Sequence, residues 1–312
     1  DWSVPRDYDD GSWQKAPVPG CWTTERDEWL RYEGAAWYSR SFEAAVPTDG
    51  DRLILRIGAA NAQTRVFLNG AFCGLHLGGS TPFFCDLTPY IQPGENLVMI
   101  EVDSTRRADA VPMHHTDWFN HGGLYRDVEL VKVPAVHTSH LFVRLTDDGV
   151  AVDLTLSSDV DGTAEVDIAG LAKGKIEVRA GAGTTILDCA PELWSPDSLR
   201  LYDVTVNYGS DRVTDRVGFR RIERRGRELL LNGRTLQLRG IGMHEEDLDL
   251  GKCSDEVEIR RRFAHLKDLG ANVARAAHYP HHELVARVAD ELGILLWEEI
   301  PVYWAVAFDN PP

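Results

Sequence analysis

Apolar and polar residues alternate through most of the first two thirds of the chain. Leu53, Leu55 and Ile57 alternate with Arg52, Ile54 and Arg56, and Val98, Ile100 and Val102 with Met99, Glu101 and Asp103. A period of two marks strands with one buried face. Val66 and Leu68 run into Asn69-Gly70, a strong signal for a two-residue hairpin turn. Turn clusters such as QPGEN (92–96) separate the runs, and no long amphipathic helix interrupts them. Residues 1–134 are therefore expected to form a two-sheet sandwich of jelly-roll type. The alternation resumes at Val150, Val152, Leu154 and Leu156, against Ala151, Asp153, Thr155 and Ser157. It recurs in Val166/Ile168, Ile176/Val178 and Val204/Val206. About seven short strands between 135 and 218 predict an immunoglobulin-like sandwich.

After Phe219 the period changes. LLLNGRTLQLRGIGMHEE (229–246) reads as a hairpin feeding a strand. Ser254 or Asp255 then opens a helix with Val257, Ile259, Phe263, Leu266 and Leu269 on its apolar face and Gly270 at its end. NVARAAH (272–278) is the next strand. Leu284, Val285, Val288 and Leu292 line a second helix that stops at Gly293, and ILLWEEIP (294–301) is a third strand. Strand, helix, strand, helix, strand at this spacing predicts parallel buried strands. No GxGxxG or GxxxxGK[ST] follows any of them, so a nucleotide site has little support. The start of a TIM barrel is the remaining candidate. A complete barrel takes roughly 250 residues, and fewer than a hundred follow Phe219. Residues 219–312 are thus expected to hold at most the first three strand–helix units, with the remainder of the barrel as their partner.

Composition narrows the function. The 312 residues carry a formal charge of -16, which argues against nucleic acid and anionic membrane as partners. Nine tryptophans on β-rich modules suit the apolar faces of sugars. No apolar run reaches transmembrane length and no signal peptide stands at the start, although Asp1-Trp2-Ser3 reads as a processed or trimmed beginning. The five cysteines, Cys21, Cys73, Cys85, Cys189 and Cys253, are odd in number and include no CxxC. They are expected to be free thiols in cores, without a disulfide framework or structural zinc.

In a TIM barrel the working residues sit at the C-terminal ends of the strands. Those ends carry His244, Glu245 and Glu246, then Arg275 and His278, then Glu298 and Glu299, with Tyr303 and Trp304 beyond. Glu298 and Glu299 are adjacent, so strand alternation turns them opposite ways and they cannot flank one bond as a glycosidase pair does. Glu245 and Glu246 are adjacent too. In HYPHH (278–282) three histidines suggest a metal, but Pro280 interrupts them and no HExxH is present. His278, directly after a strand, reads as a hydrogen-bonding group on a substrate rim. His281 and His282 read as exposed structural residues at a helix entry.

The chain resembles glycoside hydrolase family 2, which includes β-galactosidases, β-glucuronidases and β-mannosidases. The resemblance spans DDGSWQKAPVPGCW (9–22), YEGAAWYSRSF (32–42), VFLNGAFCGLHLGGSTPFFCDLTPYI (66–91), HTDWFNHGGLYRDVELV (115–131), LWSPDSLRLYDVTV (193–206), VGFRRIERRGRELLLNGRTLQLRGIGMHEED (217–247) and ARAAHYPHHELVARVADELGILLWEEIPVYW (274–304). It implies a jelly roll, an immunoglobulin-like sandwich and a catalytic barrel, and a retaining exo-β-glycosidase with no obligatory organic cofactor. It also implies that the two catalytic glutamates lie beyond Pro312. TDWFNHGG (116–123) is similar to a glucuronidase-type loop whose aspartate reaches the barrel mouth, which falls on Asp117. RxxHYP places a substrate-contacting histidine at His278 with Arg275 in support, and GMHEE places His244 near the mouth. Glu299 and Trp304 complete the expected substrate-binding set. No metal ligand set is visible, and a homo-oligomer is expected. The alternative is a non-catalytic carbohydrate-binding module.

Overall fold

The computed structural model describes residues 13–111 and 113–302 of the chain. A short helix α1 (Trp22–Glu25) precedes seven strands: β1 (Ala35–Ala44), β2 (Arg52–Ile57), β3 (Gln63–Leu68), β4 (Ala71–Leu77), β5 (Phe83–Asp86), β6 (Gly94–Asp103) and β7 (Val128–Val133). They form two antiparallel sheets, ordered β1-β6-β3-β4 and β5-β2-β7. The expected alternation is real. Leu55 and Ile57 from one sheet meet Val66, Leu68, Val98, Ile100 and Val102 from the other in one core. β3 and β4 are joined by Asn69 and Gly70 at φ 51° and 81°. This left-handed pair matches the twist of the flanking strands.

Seven further strands make a second sandwich: β8 (Thr138–Thr146), β9 (Gly149–Leu156), β10 (Gly162–Ile168), β11 (Ala172–Val178), β12 (Ala182–Leu187), β13 (Tyr202–Tyr208) and β14 (Asp211–Val217). Sheets β11-β10-β13-β14 and β12-β9-β8 enclose a core that includes Val150, Val152, Leu154, Val166, Ile168, Ile176, Val178, Val204 and Val206.

The remaining elements are a small sheet of β15 (Ile222–Arg225), β16 (Glu228–Leu231) and β17 (Arg234–Thr235), then β18 (Gly240–Met243), α2 (Glu256–Asp268), β19 (Val273–Ala276), α3 (Glu283–Leu292) and β20 (Leu295–Glu298). Strands β18, β19 and β20 are parallel and adjacent, with Met243, Ala276 and Glu298 in register at their C-terminal ends. Asp255 caps α2 by accepting the Glu258 N–H at 2.8 Å. Gly293 ends α3 at φ 76°, a left-handed cap that glycine takes without strain. Ile259, Phe263 and Leu266 of α2 pack on Val285, Val288 and Ala289 of α3 and on Ala274. Val257 and Leu269 do not join that face, as each is 76% exposed. Val257 lies two residues from Ile259, which at 3.6 residues per turn is the far side of the helix, and Leu269 sits at the C-cap.

The second sandwich and the strand–helix unit are bolted together by Trp194. Its side chain is fully buried beside Val273 and Leu295. Its indole N–H donates to the Asp290 carbonyl at 2.8 Å. All five cysteines are free.

Candidate functional site

Two segments meet at the C-terminal ends of the parallel strands. One is the loop that carries Asp117 and Trp118. Its backbone is held from below by a polar lattice. Asn61 donates to the Asn120 side-chain oxygen and to the His121 carbonyl, both at 2.8 Å, and Asn120 donates to the Ser104 carbonyl at 2.8 Å. Gly122 lies flat on Trp22, where a Cβ would stand 2.0 Å from the indole ring. This explains why NHGG follows Asp117-Trp118-Phe119: two amide partners and two residues without side chains let the loop fold tightly against α1.

The other segment runs from β19 through His278 to α3. Arg275 forms a two-pronged ion pair with Glu299, from Nε to Oε1 at 2.6 Å and from Nη2 to Oε2 at 3.1 Å. The same Nη2 is 3.2 Å from His278 Nδ1, and that nitrogen is 3.2 Å from Glu299 Oε2. The Arg275 guanidinium holds the Glu299 carboxyl below its ordinary pKa. The far nitrogen of His278, Nε2, faces Asp117 Oδ1 at 3.8 Å. His244 stands edge-on to His278, with ring centres 5.1 Å apart. Thus Asp117, His244, Arg275, His278 and Glu299 converge on one mouth. Trp304 lies outside the described residues. Strand alternation holds for the carboxylate pair: Glu299 makes these contacts, and Glu298 makes none of them among the described residues.

His281 and His282 are corrected. Both are buried, at 7% and 9% exposure. His281 donates from Nε2 to the Ala277 carbonyl at 2.9 Å. His282 is the N-cap of α3 and accepts the Leu284 N–H on its ring nitrogen. Burial lowers the pKa of both rings. The helix entry faces inward here because the first sandwich covers it, and a local pattern carries no sign of that cover. Among the described residues no group of histidines, cysteines and carboxylates forms a metal site.

Several residues of the site carry no sign in the hydrophobic period. Trp118 packs on His278 and Tyr279, with ring centres 5.8 Å and 5.4 Å apart. Lys252, fully enclosed, sets its ammonium 3.8 Å from the Tyr279 ring, and burial brings its pKa down to about 8. Arg126 and Glu245 form a buried ion pair at 2.7 Å, with side chains 5% and 1% exposed. Arg126 also donates to the carbonyls of Ser80 and Pro280, and Glu245 Oε1 accepts the His282 N–H. Of the carboxylates at the strand ends, Glu245 is therefore a staple between the two segments. The sequence carries no local signal for this, because Arg126 is one of three charged residues in GLYRDVELV and nothing nearby marks it as the buried one.

Two family models match the chain: the sugar binding domain of glycosyl hydrolases family 2 over residues 3–134, and the TIM barrel domain of the same family over 222–308. The chain belongs to glycoside hydrolase family 2. A putative β-glucuronidase of Formosa agariphila is 29% identical over 94% of this chain and 38% of its own length. The crystal structure of a family 2 β-galacturonidase from Eisenbergiella tayi bound to galacturonate is 33% identical, with a TM-score of 0.82, over 92% of this chain and 53% of that one. The structure of Bifidobacterium dentium β-glucuronidase complexed with coumarin-3-O-glucuronide is 26% identical, with a TM-score of 0.87, over 96% of this chain and 58% of that one. The chain therefore spans about half the length of these solved relatives, and less of the curated one.

Proposed function

We propose that this chain is the N-terminal part of a retaining exo-β-glycosidase that releases terminal β-linked sugars. A uronic sugar is the first candidate and galactose the alternative. In this reading, 1–134 is a jelly-roll sugar-binding domain, 135–218 an immunoglobulin-like domain and 219–312 the opening of a TIM barrel. The acid/base and nucleophile glutamates come from the barrel beyond Pro312, so this chain supplies the sugar-holding wall. The observation that carries the reading is the meeting of Asp117 and His278, from separate folding units, 3.8 Å apart at the ends of the parallel strands. The relatives bound to galacturonate and to a glucuronide support the uronic assignment.

The chemistry of the wall follows from its donors and acceptors. Ionised Asp117 accepts hydrogen bonds from sugar hydroxyls. His278, held at Nδ1 by the Arg275–Glu299 pair, turns Nε2 to the same sugar. Arg275 and Glu299 cancel each other's charge and keep the ring in one orientation. His244 stands beside them on the rim.

The test is kinetic and uses the full-length enzyme on nitrophenyl β-glucuronide, β-galacturonide and β-galactoside. Charge-assisted hydrogen bonds contribute roughly 1.5–3 kcal/mol each, so Asp117→Ala should lower kcat/KM by about ten- to several-hundred-fold. His278→Ala should do similar damage. Near wild-type kcat/KM for Asp117→Ala on every β-glycoside would overturn the site. Sugar binding without turnover in the full-length protein would instead favour a carbohydrate-binding module.

A further inference from the structure

Behind the sugar wall, the first sandwich and the strand–helix unit touch at two sulfurs. Cys21 is the N-cap residue of α1 and is buried. Cys253 sits in the loop between β18 and α2, partly exposed. Their Sγ atoms are 3.8 Å apart, although 232 residues separate them in the chain. The loop is laid directly on Cys21. Gly251, at φ +64°, passes so close that a Cβ would stand 3.1 Å from both Cβ and Sγ of Cys21. The next residue, Lys252, donates its backbone N–H to Cys21 Sγ at 3.4 Å. The loop is closed on itself by reciprocal bonds between Asp247 and Gly251 at 2.8 and 3.0 Å. Its outer end is open to solvent, with Leu248 98% exposed.

The five thiols are not equivalent. Burial pushes Cys73 and Cys85 up to about 11, and it also raises Cys189. Cys21 moves the other way. The nearby Cys253 sulfur, the Lys252 N–H and the Lys252 charge all favour its thiolate. A thiolate with a second sulfur at van der Waals distance is the arrangement from which a disulfide forms, because the thiolate is the nucleophile and the neighbour resolves the first oxidation product.

We propose that Cys21 and Cys253 form a reversible disulfide that fastens the first sandwich to the β18–α2 loop, with a peroxide as oxidant. The Cys21 thiolate attacks one oxygen of hydrogen peroxide. The O–O bond breaks, and the departing hydroxide takes up a proton to become water, leaving a sulfenic acid on Cys21. The Cys253 sulfur then attacks Cys21 Sγ. The S–S bond forms, the S–O bond breaks, and hydroxide leaves with the Cys253 proton as a second water. Two thiols and one peroxide thus give one disulfide and two waters. The sulfurs must approach by roughly 1.8 Å to reach bonding distance, a movement that falls on the solvent-facing loop. The bond would secure Lys252 beneath Tyr279, the ring that packs on Trp118.

The experiment treats the full-length protein with limiting hydrogen peroxide, alkylates it under denaturing conditions, digests it without reduction and maps the peptides by mass spectrometry. The expected result is a Cys21–Cys253 linked peptide that disappears on dithiothreitol treatment, with Cys73, Cys85 and Cys189 recovered alkylated. In Cys253→Ser, a volume-conserving change, dimedone should label Cys21 as its sulfenic acid. Recovery of Cys21 and Cys253 as free thiols or as unlinked sulfinic acids would overturn the proposal. So would linkage to any other cysteine, or the absence of a dimedone adduct on Cys21 in the variant.

Discussion

Replacing Arg126 with methionine isolates what joins the two halves of the site. The guanidinium donates to Ser80 O at 3.1 Å, Glu245 Oε2 at 2.7 Å and Pro280 O at 2.9 Å. Methionine keeps the apolar stem and removes all three bonds. Glu245, 1% exposed, then keeps the His282 N–H as a hydrogen-bond donor and the Lys252 charge nearby, but loses its paired guanidinium. Removing one member of a buried ion pair costs about 3–5 kcal/mol, because the other charge stays desolvated. The bonds to Ser80 and Pro280 belong to the same network, so their loss is not added separately. The chain has several domains, so a global unfolding midpoint would blur the effect. Hydrogen exchange at the His282 and Leu284 amides reads the local opening instead. At 1.4 kcal/mol per decade, exchange should quicken by roughly two to three and a half decades. The double variant Arg126→Met/Glu245→Leu should be less damaged than Arg126→Met alone, because an apolar pair replaces a stranded charge. If Arg126→Met changes exchange by less than about fivefold, or the double variant opens faster than the single one, the staple has been misread.

Two further outcomes follow from buried histidines. His281→Ala should lower local stability by about 1–3 kcal/mol, since it strips the Ala277 carbonyl of its donor; unchanged hydrogen exchange at the Leu284 amide would contradict the buried position. Acidification should loosen the fold. Burial and the nearby Lys252 charge depress His121 from 6.5 to about 4. The unfolded chain takes up this proton near pH 6.5 while the folded chain resists until about pH 4. The contribution is thus intact above pH 6.5 and is lost as pH falls towards 4, by about 3 kcal/mol at 1.36 kcal/mol per unit. The opening free energy read from hydrogen exchange at the amides around His121, corrected for the intrinsic rate at each pH, should fall across that range in the wild type and less steeply in His121→Asn; equal slopes would count against it.

Much of this protein is written in its local pattern. The period of two along β2, β6 and β9, the Asn69-Gly70 turn, the Asp255 cap and the Gly293 stop are properties of neighbouring residues, because pleat, helix repeat and turn chemistry act over a few positions. The order of elements after Phe219 was legible for the same reason, and it brought His244, Arg275, His278 and Glu299 to one end of a parallel sheet. The periodic reading failed where burial depended on a distant surface. Val257 and Leu269 are apolar yet exposed, since the helix face that counts is the one another element covers. His281 and His282 are polar yet buried, since the first sandwich closes over the entry to α3. The Arg126–Glu245 pair, Lys252 under Tyr279, Cys21 against Cys253 and Asp117 facing His278 all join residues far apart in the chain. Only the packing of separate folding units decides such contacts, because the water-poor enclosure that strengthens them, and makes an unpaired group costly, exists only once the units meet.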